Sequence, residues 1–165
     1  MPRHSVSRHV KCGRELLFNL VADVERYPEF VPWWMSATVW KTDADTYYTR
    51  QTVGMSLIYH EFQSQTTIYR PDRIQVISRE RPFRSLDMHW SFEVPAHGGC
   101  NVHLNVEYEL RSMQFGMLAA IISADGVRRL VDAFEGRAYH LGRRAAGSHV
   151  AEAAAADGGL QSSHP

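Results

Sequence analysis

Residues 86–110 read LDMHWSFEVPAHGGCNVHLNVEYEL. Leu86, Met88, Trp90, Phe92 and Val94 fall on one parity, and Val102, Leu104, Val106, Tyr108 and Leu110 repeat the pattern after Pro95-Ala96-His97-Gly98-Gly99. Asp87, His89, Ser91, Asn101, His103, Asn105 and Glu107 take the opposite parity. Side chains alternate across a strand, so these are two strands with one buried and one wet face, joined by a turn rich in proline and glycine.

Upstream, the segments Ala37–Lys41, Thr46–Val53, Tyr59–Tyr69 and Arg73–Ser78 are rich in Val, Ile, Thr and aromatic residues, as strands are. Asp43-Ala44-Asp45, Gly54, Arg70-Pro71-Asp72 and Arg81-Pro82 supply turns between them. Six strands with short links form an antiparallel meander. Val6, Arg8 and Val10 alternate as an earlier strand, and Leu16, Leu17, Leu20, Val21 and Val24 follow at helical spacing. Downstream, Met117, Leu118, Ile121, Ile122, Val127, Leu130, Val131, Phe134, Ala138 and Leu141 form a stripe at three- and four-residue steps. Ser112 is the expected N-cap of a single helix reaching about Leu141. The order predicts an α+β helix-grip architecture: a curved antiparallel sheet of about seven strands around a long C-terminal helix. A lined cavity is expected where sheet and helix part.

Between the first helix and the meander stands Asp23-Val24-Glu25-Arg26-Tyr27-Pro28-Glu29-Phe30-Val31-Pro32-Trp33-Trp34. Two prolines fix their own φ and bias their neighbours away from the helical region, predicting a stiff, non-helical, aromatic loop at the cavity mouth. Phe30 and Trp33 are expected to cap the cavity, with Trp34 outside and available to a bilayer interface. Met113 and Phe115 are candidates for the same apolar edge.

The chain has 165 residues, enough for one domain with a hydrophobic core. Lys plus Arg and Asp plus Glu balance at 18 each, so no global field argues for nucleic acid, and DNA is not expected as a partner. Cys12 and Cys100 form no C-x-x-C and read as free thiols of a reducing cytoplasm. Neither a signal core nor a spanning run is apparent, which predicts a cytoplasmic protein. From residue 143 to 165 the composition turns to Ala, Gly, Ser and His, predicting a flexible tail behind a domain of residues 1–142, with a short alanine helix as the alternative.

Signals for chemistry are sparse. Nine histidines occur without H-E-x-x-H or a Cys/His cluster, so no metal is expected, and His89 and His103 belong to the wet face. Ser36, Ser56 and Ser85 lie in no G-x-S-x-G elbow, and no catalytic set is named. Were an acid or base to face the cavity, Glu61 and Asp23 are the candidates. Trp90, Phe92 and Tyr108 read first as core, and Met88 and Met117 as adaptable lining or gap filling. Phe62 and Ile68 share a parity with Ser64 and Thr66, a mixed face suited to a cavity with polar anchors. The basic residues Arg128, Arg129, Arg137, Arg143 and Arg144 are the one feature suggesting phosphate contact.

The run Val21-Ala22-Asp23-Val24-Glu25-Arg26-Tyr27-Pro28-Glu29-Phe30-Val31-Pro32-Trp33 resembles the signature of the coenzyme Q-binding START-domain family, within the polyketide cyclase/dehydrase and lipid-transport superfamily. Pro82-Phe83-Arg84-Ser85-Leu86 with Trp90-Ser91-Phe92, then Tyr108-Glu109-Leu110-Arg111-Ser112, then Val131-Asp132-Ala133-Phe134-Glu135-Gly136-Arg137-Ala138 match its later blocks in order, over residues 3–142. The segment around Gly54 keeps only the outline of the family hairpin, and Gly126 stands where the family helix carries a larger residue. The resemblance implies a START-like fold and non-enzymatic binding of a polyprenyl quinone such as ubiquinone, bound as a ligand with no cofactor. That role would support respiration or quinone biosynthesis, with transient contact at the inner membrane face. Bacterial relatives described as ribosome-association toxins imply an alternative, inhibition of subunit joining through the large ribosomal subunit; a cyclase-like enzyme is a third reading. The expected ligand-contacting residues are Phe30, Trp33 and Trp34 from the loop, Phe62, Leu86, Met88 and Trp90 from the sheet, and Met117, Leu118, Ile121 and Ile122 from the helix.

Overall fold

The computed structural model describes residues 2–55 and 57–158, with side chains as far as Arg144. Seven strands make one sheet in the order β1-β7-β6-β5-β4-β3-β2. They are β1 (Arg3–Val10), β2 (Trp34–Asp43), β3 (Thr46–Met55), β4 (Ile58–Tyr69), β5 (Arg73–Ser78), β6 (Phe83–Glu93) and β7 (Cys100–Leu110). Every neighbouring pair is antiparallel, and β1 closes the meander by pairing with β7 from Arg3↔Glu107 to Val10↔Cys100. The alternation at 86–110 agrees with the central register, in which Trp90 stands opposite Leu104 and Phe92 opposite Val102. Leu86, Trp90, Phe92, Val102, Leu104, Val106 and Tyr108 are buried, whereas Val94, at the turn, is exposed.

Helix α1 (Arg14–Ala22) buries Leu17, Phe18, Leu20 and Val21. The stretch after it departs from the sequence expectation: Val24–Glu29 is a 3-10 helix containing Pro28. The φ that proline imposes falls within the 3-10 range, so a short turn of this kind tolerates it. Val31 N donates to Tyr27 O at 2.9 Å, and the Tyr27 hydroxyl, itself buried, donates to the carbonyl of Val21. The segment is therefore folded back on α1, and β2 begins at Trp34 instead of Ala37.

The expected single helix from Ser112 to Leu141 is interrupted. A 3-10 turn (Met113–Phe115), α2 (Gly116–Ile121) and α3 (Ala124–Gly158) replace it. Ser112 caps the 3-10 turn, accepting from Gln114 N at 3.2 Å, and does not cap the long helix. At the break, Ser123 Oγ donates to Ala120 O at 2.7 Å and accepts from Gly126 N at 3.2 Å. A Cβ on Gly126 would stand 1.8 Å from Ile121 O, so the turn from α2 into α3 requires glycine there. Helix α3 also runs beyond Leu141, because its alanine-rich continuation favours helix. The segment expected as a tail falls partly within that helix, and 159–165 lie outside the described residues. Val127, Leu130, Val131, Phe134 and Ala138 of α3 are buried against the sheet.

The antiparallel order brings the start of β2, the end of β3, the starts of β4 and β6, and the end of β7 to one end of the sheet. Helix α2 lies at that end, where the rings of Phe115 and His60 are 5.1 Å apart.

Candidate ligand cavity

Two small cavities lie between the concave face and α3. The first is lined by Val24, Tyr27, Tyr47, Gln51, Thr66, Val76, Trp90 and Phe134, among others, and the second by Trp33, Val53, Phe83, Val106, Leu118, Ile121, Ile122 and Val127. Trp34, Phe62, Leu86, Met88 and Leu130 line both and so form the partition. The cavities are about 30 and 40 Å³. That is room for roughly two or three waters each. A larger guest must displace partition side chains, of which Met88 is the most adaptable by its unbranched shape.

The two differ chemically. On the wall of the first, Trp34 Nε1 donates to Gln51 Oε1 at 2.9 Å, and Gln51 Nε2 donates to Thr49 Oγ1 at 2.8 Å and Ser64 Oγ at 3.1 Å. Thr49 and Ser64 hydroxyls lie 2.6 Å apart. Thr49, Gln51, Ser64 and Thr66 are all buried. Tyr47 OH donates to Ala22 O at 2.6 Å, and burial pushes its phenol up to about 12. Tyr27 is also pushed well above the ordinary tyrosine value, first by burial and then by Tyr47 and Asp23. Both phenols are thus neutral polar groups. The second cavity has an apolar lining apart from its two indoles, and Trp33 Nε1 is buried without a hydrogen-bond partner.

Nine of the eleven expected contact residues line these cavities: Trp33, Trp34, Phe62, Leu86, Met88, Trp90, Leu118, Ile121 and Ile122. Phe30 and Met117 do not. Phe30 packs edge-on against Phe134 at 5.1 Å beneath the Arg137 guanidinium, and Met117 is half-buried against the core. Trp34 is the clearest correction: expected outside, it points inward, because an irregularity between Trp34 and Ser36 sets it opposite Val53, against the parity of the inward-facing Ala37 and Val39, and it finds an acceptor in Gln51. Glu61 and Asp23 do not face the cavities either; Glu61 is exposed and pairs with Arg50 at 3.3 Å, while Asp23 pairs with Arg26 at 3.1 Å. Of the basic residues, Arg128 pairs with Asp125 and Arg137 with Glu29, which offsets two of the five charges. The sequence pattern singles out Ser64 and Thr66 but not Tyr47, Thr49 or Gln51. Their shared parity with Val53 is the available signal. Cys12 and Cys100 are free, and burial raises both thiols.

A sheet gripping a helix over a divided apolar interior defines the START-like class of ligand-binding folds. The chain belongs to the polyketide cyclase / dehydrase and lipid transport family, whose pattern matches residues 13–135. It is 28% identical over 137 residues to the mitochondrial coenzyme Q-binding protein coq10 of Schizosaccharomyces pombe, covering 79% of this chain and 83% of that one. It is 26% identical over 125 residues to the ribosome association toxin RatA of Pseudomonas aeruginosa, covering 76% and 87%. The fold superposes on the crystal structure of TTHA0849 from Thermus thermophilus with a TM-score of 0.72 at 19% identity, covering 85% of this chain and 99% of the other.

Proposed function

We propose that this protein binds an amphiphile with a small carbonyl-bearing head and a long apolar tail, a polyprenyl quinone of the coenzyme Q type, and hands it over without chemical change. The observation that carries the reading is the division of the interior. Gln51, Thr66 and Tyr47 bring hydrogen-bonding groups to the first cavity, with Thr49 and Ser64 bonded to Gln51, and the adjoining cavity is walled by aliphatic and aromatic side chains. Quinone carbonyls need donors, and an isoprenoid tail needs none. The likeness to coq10 supports that ligand class. A carrier of so insoluble a molecule works at a membrane surface, in support of respiration or quinone synthesis. No described helix is long and apolar enough to cross a membrane, so contact would be peripheral.

Native purification, organic extraction and mass analysis test this. Recovery of a stoichiometric polyprenyl quinone is expected. A chain that carries none and sediments with the large ribosomal subunit would instead favour the second reading, which rests on the likeness to RatA. Against that reading stands the division of the basic residues between Asp125, Glu29 and solvent.

A further inference from the structure

The end of the sheet where α2 lies carries an apolar edge that the interior does not absorb. Met55 pairs with Ile58 to close the β3–β4 hairpin, and Met55, Leu57, Ile58 and Tyr59 are all exposed, Leu57 at 91% and Ile58 at 60%. Met113, two residues from the Phe115 ring that meets His60 of β4, is 99% exposed. Isolated exposed apolar residues are ordinary, but a cluster of this kind on one rim marks an interaction site. The hairpin is held in shape: a Cβ on Gly54 would lie 2.4 Å from Ile58 O, and Gly54 N donates to Trp33 O at 2.9 Å.

The edge is continuous with the interior. An outer groove of about 240 Å³ is lined by Trp33, Met55, Ala120, Ile121, Gly126 and Arg129, among others. Trp33 and Ile121 also line the second, apolar cavity, so these two side chains separate groove from interior. The charge at this end favours anions. Arg81, Arg111 and Arg129 have no carboxylate partner among the described residues, against Glu80 as the unpaired acid.

We infer that the β3–β4 hairpin tip, with Met113 beside it, docks into the interface of a bilayer bearing anionic lipids and presents the Trp33–Ile121 wall to it as the ligand's entrance. Apolar side chains enter the headgroup region while neighbouring arginines are attracted to the negative surface. The geometry also sets an order of entry. A lipid taken from the interface head first brings its polar end to the Gln51 cavity and leaves its tail in the apolar one, which is the arrangement the two linings favour. This assigns insertion to the hairpin, in place of Trp33 and Trp34. The inference rests on the carrier reading, and the two are separable by experiment.

The test is co-flotation with phosphatidylcholine vesicles, with and without phosphatidylglycerol. Separately, quenching of tryptophan fluorescence by ubiquinone with one isoprene unit is measured in vesicle-free solution. The Leu57→Asp/Ile58→Ser variant is expected to lose binding to the anionic vesicles about tenfold, through the apolar area withdrawn from the interface. Its quinone quenching and thermal midpoint should match the unaltered chain, as should vesicle binding by Trp40→Ser, whose exposed indole lies on β2 away from the edge. Equal vesicle binding by the hairpin variant, or no binding by the unaltered chain, overturns the inference. So does a dimer that the hairpin variant dissociates, which would assign the edge to a second copy. Vesicle binding lost in the variant, with no quinone quenching in either protein, would uphold the docking edge and remove the carrier reading.

Discussion

The Trp34 indole donates to the Gln51 side-chain carbonyl at 2.9 Å. Gln51 in turn donates to both hydroxyls of the Thr49 and Ser64 pair. The amide thereby couples the aromatic segment at 27–34 to the middle of the sheet. It also stands where a guest entering the first cavity must meet a polar group.

Truncating that amide separates its structural and binding roles. Gln51→Ala leaves Trp34 Nε1 without its acceptor, which should cost about 1–3 kcal/mol in chemical denaturation. It should also weaken a short-chain quinone by about tenfold more than a hydrocarbon of similar size, since only a quinone carbonyl can take over an Nε2 hydrogen from Thr49 or Ser64. Equal losses for the two ligands would remove Gln51 from head recognition.

Gly126→Ala poses a direct contest. Helix propensity favours alanine by about 1 kcal/mol at an interior position. A Cβ placed 1.8 Å from Ile121 O would force α2 and α3 apart, and overpacking of this kind costs about 1–3 kcal/mol or more. The overlap should prevail, giving net destabilisation of about 2 kcal/mol by chemical denaturation. A stabilised variant would mean that Ile121 does not approach Gly126.

How much of this is legible in the sequence depends on the range of the signal. Strand alternation at 86–110 is a local, period-two pattern, and it yields the buried and wet faces of both strands. The stripe from Val127 to Ala138 likewise predicts the buried face of α3. The break at Ile122–Ser123 is marked in the sequence only by Gly126, because apolar spacing continues through it; the close approach of Ile121 O to that position is a contact between turns. Pro28 reads as a helix breaker, but a 3-10 turn accommodates its φ. Trp34 is misplaced by the pattern because the register shifts between Trp34 and Ser36, which turns it to the same side as Ala37 and Val39 despite its opposite parity. The Gln51 network needs β3 and β4 in register, Gln51 opposite Phe62 and Thr49 opposite Ser64, which composition alone does not supply.

Tyr47 predicts an alkaline limit to stability. Burial is the main cause that raises its phenol to about 12, with Asp23 adding to the rise, while Thr66 and Arg70 oppose it. An unfolded tyrosine titrates near pH 10. Between about pH 10 and 12 the unfolded chain has therefore lost a proton that the folded chain retains, so stability falls as pH rises through that window. Tyr47→Phe lacks the proton and the bond to Ala22 O, so it should be less stable than the unaltered chain at about pH 8. The gap should narrow by about pH 11, as denaturation midpoints at the two values would show. A constant or widening gap would exclude Tyr47 as a source of alkaline loss.

Met88 offers a test of whether the partition limits entry. It lines both cavities, faces Val106 across the β6–β7 register and is only half-buried, so its removal should leave the strand pairing intact. Met88→Ala joins the two spaces and should cost about 2 kcal/mol through lost contacts and enlarged cavity. If a guest must otherwise push this side chain aside, the same variant should bind a short-chain quinone several-fold more tightly, because the displacement no longer opposes binding. Stability and affinity would then move in opposite directions, measured by denaturation and by tryptophan quenching on one preparation. Loss of both together would mean that the thioether contacts the ligand, and that the partition yields elsewhere, at Leu130 or Leu86.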